Sequence, residues 1–140
     1  MFKEDLQGTC PIEAEMLIPP YTEEMDREQQ MKIAYVNLQR AIRLKSRILA
    51  LINAYFLGKI LASIESTTDR FLMKKKLTKH YQTMAENTYD LFEYNPSQIL
   101  QTRLITVQAI RAMKRSKILE LRELTLETFA GAQNLEEESC

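Results

Sequence analysis

Tryptophan is absent from this chain, histidine occurs once, and the 140 residues include only three glycines, four prolines and two cysteines. Each scarcity removes a class of function. His80 stands alone, and its neighbours Lys76, Thr78 and Lys79 offer no carboxylate to orient it as a general base. The glycines, Gly8, Gly58 and Gly131, are isolated, so no glycine-rich loop exists to cradle a phosphate. They are also too few for a turn-rich β-sandwich. Cys10 and Cys140 lack the paired spacing of a disulfide framework and fall short of the roughly four ligands zinc takes. Free thiols in a reducing compartment are expected. No catalytic residue, metal or cofactor is expected, so the chain reads as a non-enzyme.

An excess of either charge is lacking as well. Nineteen lysines and arginines balance nineteen aspartates and glutamates. A net charge of zero argues against gripping nucleic acid or an anionic membrane as the main task. The first sixteen residues, MFKEDLQGTCPIEAEM, carry early acids and no apolar run, unlike a signal peptide. The longest apolar stretch, residues 48–64, is interrupted by Asn53, Gly58 and Lys59. It falls short of the ~20 residues a membrane span needs. A buried helix in a soluble, intracellular protein of about one domain is the expectation.

What the chain does have is helical periodicity. Residues 1–21 read as an extended lead-in closed by Pro19-Pro20-Tyr21. Thr22 is placed to cap a helix, with Glu23, Glu24 and Asp26 favoured at its positive end. Tyr35, Leu38, Ile42, Leu49, Ile52, Phe56 and Ile60 then recur at helical spacing. One helix from about Thr22 to Ile64 would reach roughly 60 Å. Either Gly58 breaks it, or it protrudes and needs a partner. Ile48, Leu51 and Tyr55 widen the apolar surface and predict burial on two sides. No acid falls between Glu28 and Glu65, so this region is locally basic through Lys32, Arg40, Arg43, Lys45, Arg47 and Lys59.

A second helical region follows over 66–95. Ser66-Thr67-Thr68-Asp69 is a turn and cap cluster, and Phe71, Leu72 and Met73 begin an apolar face. Leu77, Tyr81, Met84, Thr88, Leu91 and Phe92 continue it, and Asn95-Pro96-Ser97 is a stop signal. The helical domain thus spans 22–95, with a linker at 96–102. In the module over 103–132, Ile105, Val107 and Ala109 alternate with Thr106 and Gln108. Ile118, Glu120 and Arg122 then oppose Leu119, Leu121 and Glu123, and Leu124, Leu126 and Thr128 continue a period of two. Period 3.6 also fits parts of residues 114–129, and Leu and Glu are good helix formers. Strand and helix both remain open on these grounds. A polar tail occupies 133–140.

Taken in order, these pieces resemble subunit one of the GINS replication complex, the partner-of-Sld-five family. Met1-Phe2, Pro19-Pro20-Tyr21-Thr22-Glu23-Glu24, Ala34-Tyr35 and the run Arg40-Ala41-Ile42-Arg43-Leu44-Lys45 match its motifs in sequence. His80-Tyr81 and residues 84–89 match its aromatic-rich later helix loosely. Leu104-Ile105-Thr106-Val107-Gln108-Ala109-Ile110-Arg111 has the apolar and basic pattern of its strand. The family's tryptophan after the arginines has no counterpart here, and the C-terminal stretch is short for a full β-domain.

The resemblance implies a nuclear, non-enzymatic scaffold in a four-subunit complex, acting in DNA replication initiation and elongation as an accessory of the replicative helicase. The Sld-five subunit would be the first partner among the sister subunits. The complex would reach the MCM ring and the Cdc-forty-five protein. The fold expected is mainly α: an antiparallel helical bundle with one long helix, followed by a small C-terminal β-hairpin, or a helix in its place. Candidate interface residues are Tyr35, Leu38, Ile42, Arg43, Leu49, Ile52, Phe56, Tyr81 and Tyr89. Aromatic residues at this spacing serve equally as an intramolecular core, and one chain does not separate the two uses. Arg40, Arg43, Lys45 and Arg47 are candidates for meeting nucleic acid or an acidic partner, with a solvated face as the plainer reading. The alternative function is a small helical nucleic-acid-binding adaptor using this basic face.

Overall fold

The computed structural model describes residues 17–124, and the elements found there are helical. Helix α1 spans Arg27–Arg43, α2 Arg47–Ala62, α3 Thr67–Lys74 and α4 Lys79–Phe92. A 3-10 helix follows at Pro96–Gln101, then the short α5 at Val107–Arg111. The chain is helical again from 115 to 124.

Helix α1 begins later than Thr22. Asp26 is the cap, its carboxylate accepting from the Gln29 amide at 2.8 Å. Thr22 contributes through its carbonyl, which accepts from the Met25 amide and the Gln30 side chain. The buried face of α1 is Met31, Ala34, Leu38 and Ala41, spaced three, four and three. Tyr35 and Ile42 lie at its half-buried edge.

The single long helix expected over 22–64 does not form, and Gly58 is not its breaking point. The chain turns at Leu44-Lys45-Ser46 instead. Lys45 adopts φ 58°, a left-handed conformation. The Ser46 amide donates to the Ala41 carbonyl and the Lys45 amide to the Ile42 carbonyl. That pairing is a Schellman motif, which satisfies the last carbonyls of α1 and reverses the chain. Glycine normally holds the left-handed position, so a lysine there leaves little local signal.

After the turn, α2 runs back along α1. The Arg27 guanidinium, at the start of α1, donates to the Ser63 carbonyl just beyond the end of α2. Helix α4 packs on another side of α2, again antiparallel: Tyr55 meets Tyr89, and Gly58 lies against Ala85. Helix α2 is therefore central, with ten of its sixteen residues buried from Ala50 to Leu61. The two-sided burial read from Ile48, Leu51 and Tyr55 corresponds to α1 on one flank and α4 on the other. Tyr35 and Tyr81 join those two outer helices edge to face, centroids 5.2 Å apart. Tyr21 closes the N-terminal side on Phe56 at 5.9 Å.

The region 66–95 is two helices rather than one. Ser66 caps α3, its hydroxyl accepting from the Asp69 amide at 3.2 Å. Leu77 is buried between α3 and α4. Met84, Thr88, Leu91 and Phe92 then form the buried stripe of α4. Pro96 opens the 3-10 helix, where its missing amide costs nothing, and Ile99 inserts into the core.

The β-hairpin expected within 103–132 is absent from the described residues, where 107–111 and 115–124 are helical. Thr106 caps α5 by accepting from the Ala109 amide at 3.1 Å. Val107, Ile110, Ile118 and half-buried Leu121 turn inward, while Ala109 is exposed. Burial thus follows three-residue steps within each helix, not alternation. Asn87 of α4 secures the end of α5 by donating to the Ile110 carbonyl at 3.0 Å. Leu126 and Thr128 lie outside the described residues, as do Cys10, Cys140 and Met1-Phe2.

Candidate functional site

The α1–α2 turn carries most of the candidate basic residues. Arg40, Arg43 and Lys45 are exposed around it. Arg47 is turned inward. Its guanidinium donates to the Thr102 hydroxyl at 2.8 Å, the Thr102 carbonyl at 2.8 Å and the Ile105 carbonyl at 3.1 Å. Three charge-assisted bonds across more than fifty residues of chain make Arg47 a structural clasp. The outward basic group is then Arg40, Arg43 and Lys45.

The clasp draws residues 102–105 to this end of the bundle. A cleft of about 340 Å³ lies there between the turn and the start of α5, lined by Ala41, Ile42, Ala50 and Val107, with Lys45 beside them. Leu104, next to the clasped Ile105, is 90% exposed. Leu44, in the turn itself, is 69% exposed, and Leu49 is 51% exposed. Fully covering one leucine is worth ~1.5–3 kcal/mol, so uncovered leucines beside an apolar cleft favour association. Neither Leu44 nor Leu104 stands out in the sequence. Leu44 lies off the Leu38–Ile42–Leu49 stripe, and Leu104 falls within an alternating pattern that predicts a strand.

The other candidate interface residues are dispersed. Leu38 and Phe56 lie in this chain's own core. Tyr35 and Tyr81 are half-buried against each other. Tyr89 is half-buried against Tyr55, with centroids 5.6 Å apart. Ile52 is half-buried against the core, Ile42 lines the cleft, and Arg43 and Leu49 face outward. The tyrosine cluster affects acidity: burial foremost, then Tyr89, Glu93 and Tyr21, pushes the Tyr55 phenol up to about 12. Burial also raises Tyr89, with Glu93, Asp90 and Tyr94 adding to the shift.

A larger concavity of about 500 Å³ lies where α2, α3 and α4 meet, with Gly58, Arg70, Lys74, Asp90 and Arg115 in its wall. Its charges are already engaged. Lys74 pairs with Glu86 at 2.5 Å, Arg115 pairs with Asp90, and Arg70 donates to the Ile64 carbonyl. Such a wall binds its own side chains before any ligand. Among the described residues, no group of three or more His, Cys, Asp or Glu side chains is placed to hold a metal ion. His80 is exposed at the start of α4. No helix among the described residues is long and apolar enough to cross a membrane.

No protein-family model, no curated protein and no solved structure matches this chain.

Proposed function

We propose that this chain is a non-enzymatic scaffold subunit, held in a larger assembly by the bundle end around the α1–α2 turn. The observation that carries the reading is Leu44 and Leu104, both largely exposed beside the Ile42 cleft. Exposed apolar side chains, with the exposed Arg40, Arg43 and Lys45 near Leu44 in the chain, supply the apolar and the charged rim groups that an interface uses. The rim favours an acidic partner surface. The GINS resemblance supplies the kind of assembly: sister subunits, the Sld-five subunit first, with the MCM ring and the Cdc-forty-five protein reached through the complex in the nucleus. Pro19-Pro20-Tyr21, Ala34-Tyr35 and Arg40–Lys45 support that resemblance as sequence motifs. The strand-like match at Leu104–Arg111 does not, since its second half is helix α5.

The test is native affinity purification of a tagged copy, alongside a Leu44→Glu, Leu104→Glu variant. Equal amounts of sister subunits with the parent, and their loss with the variant, support the scaffold. Recovery of bait with RNA or DNA alone, and binding that falls steeply with salt, would favour the nucleic-acid adaptor and overturn it. With Arg47 engaged internally, that adaptor would rely on Arg40, Arg43 and Lys45.

A further inference from the structure

Thr78 is an exposed residue between α3 and α4 whose hydroxyl is left idle. Its backbone is extended, at φ −68° and ψ 159°, as a helix cap requires, yet its side chain makes no capping bond. Asp26, Ser66 and Thr106 make that bond at the starts of their helices. The surroundings are basic. Lys74, Lys75 and Lys76 precede Thr78, Lys79 follows it, and no acid lies between Asp69 and Glu86 in the chain. The positive end of α4 therefore has no acid in its first turn.

Basic residues two and three positions before a hydroxyl are what a basophilic protein kinase reads, through acids in its own substrate groove. Lys76 and Lys75 hold those positions before Thr78. Both are exposed and lie beyond the end of α3. The Lys75 ammonium lies over the Phe71 ring, 4.9 Å from its centroid, and Lys76 pairs with Glu28. Contacts this exposed give way at little cost. Leu77 is the one buried residue of the linker, and α3 before it has none fully buried, so seating this segment in a kinase uncovers a single core side chain. Ser46 has Arg43 three positions before it, but that arginine belongs to α1 and Ser46 is half-buried in the tight turn. Ser116 lies inside a helix.

We propose that Thr78 is a phosphorylation site for a basophilic serine/threonine kinase. The Thr78 hydroxyl oxygen bonds to the γ-phosphorus of ATP, and its proton passes to the kinase's catalytic aspartate. The bond from that phosphorus to the β–γ bridging oxygen breaks and ADP leaves. The product carries about two negative charges and three strong acceptor oxygens. It stands next to Lys79 and two residues from Lys76. There it competes with Glu28 for the Lys76 ammonium and repels the Glu28 carboxylate. That pair ties the α3 end of the chain to α1, and an eight-residue helix is marginal by itself in water, so phosphorylation loosens α3. The site does not depend on the function proposed for the α1–α2 turn.

The full chain is treated with ATP and the catalytic subunit of cyclic-AMP-dependent protein kinase, and the product is mapped by peptide mass spectrometry. Phosphate at Thr78 is expected, and its incorporation should be lost in Thr78→Val. Lys75→Ala should slow incorporation about tenfold, as loss of one charged contact with the kinase does, while Ser46→Ala should leave the rate unchanged. Thr78 and Lys75 are exposed, so circular dichroism should show the helices of their variants retained. Hydrogen exchange in α3 should quicken on phosphorylation, and Glu28→Gln should quicken it without phosphate. An unlabelled chain would overturn the proposal, as would labelling that survives Thr78→Val or a rate indifferent to Lys75→Ala. Unchanged exchange in the phosphorylated chain would overturn the loosening of α3.

Discussion

Gly58 and Ala85 set the distance between α2 and α4. A β-carbon added at Gly58 would collide with the Ala85 carbonyl oxygen and stand 2.6 Å from the Tyr89 β-carbon. The obstructing groups are largely backbone, which cannot swing aside as the end of a flexible side chain can. The glycine is needed for close approach, not for chain reversal. Gly58→Ala should destabilise the protein by about 1–3 kcal/mol through overpacking, despite alanine's better helix propensity. Urea denaturation of the two proteins measures this, and a stabilised variant would contradict the close approach.

Lys45 carries the reverse expectation. A residue with a β-carbon in the left-handed region costs roughly 1–2 kcal/mol, and glycine avoids most of that. Lys45→Gly should therefore stabilise the chain by about 1 kcal/mol, provided the Schellman pairing is kept. Lys45→Val should destabilise it, since β-branching worsens the same clash. Thermal unfolding of the three proteins should rank them glycine, lysine, valine.

Arg47 should behave as an anchor for residues 102–105. Replacing it with lysine keeps the charge but loses the planar fork that reaches two carbonyls and a hydroxyl together. Arg47→Ala should cost about 2 kcal/mol, with Arg47→Lys recovering only part of it. Hydrogen exchange should quicken in residues 102–110 more than in α4. An unchanged exchange pattern would contradict the clasp.

Alkali should find the tyrosine cluster. The Tyr55 phenol is pushed up to about 12 in the folded chain, from an unfolded value of 10.0. The folded state therefore holds its proton more tightly, so the contribution is complete below about pH 10. It is lost as pH rises from there through about 12. Stability should fall across that window, and Tyr55→Phe, with nothing to ionise, should lessen the fall. Absorbance at 295 nm should show the phenolate appearing with unfolding.

Helix existence was legible residue by residue where several local signals agreed. Ser66 before Asp69 marked a cap, and Asn95-Pro96 marked a stop because proline removes an amide. The Met84–Thr88–Leu91 spacing needed only a buried partner to become the α4 face. Thr22 misled because Asp26 is as good a cap and lies nearer the periodic residues. Of the candidate interface, the sequence pointed to the basic residues of the α1–α2 turn. It did not separate Leu38 and Phe56, used in the core, from Leu44, left outside.

The mainly helical character around the apolar run 48–64 follows from local residues alone, because that periodicity and those stop signals act over one or two turns. Tertiary structure decided where the long helical pattern would reverse, since nothing local distinguishes Lys45 from its neighbours before Ser46 and Ala41 are paired. It also decided that 107–111 and 115–124 are helices. Leucine-rich segments fit both periods, and only the placement of Val107, Ile110 and Ile118 in the core chooses between them. The same holds for Arg47, whose partners lie 55 to 58 residues away: its sequence neighbours mark it as part of a basic face, and the fold makes it a clasp.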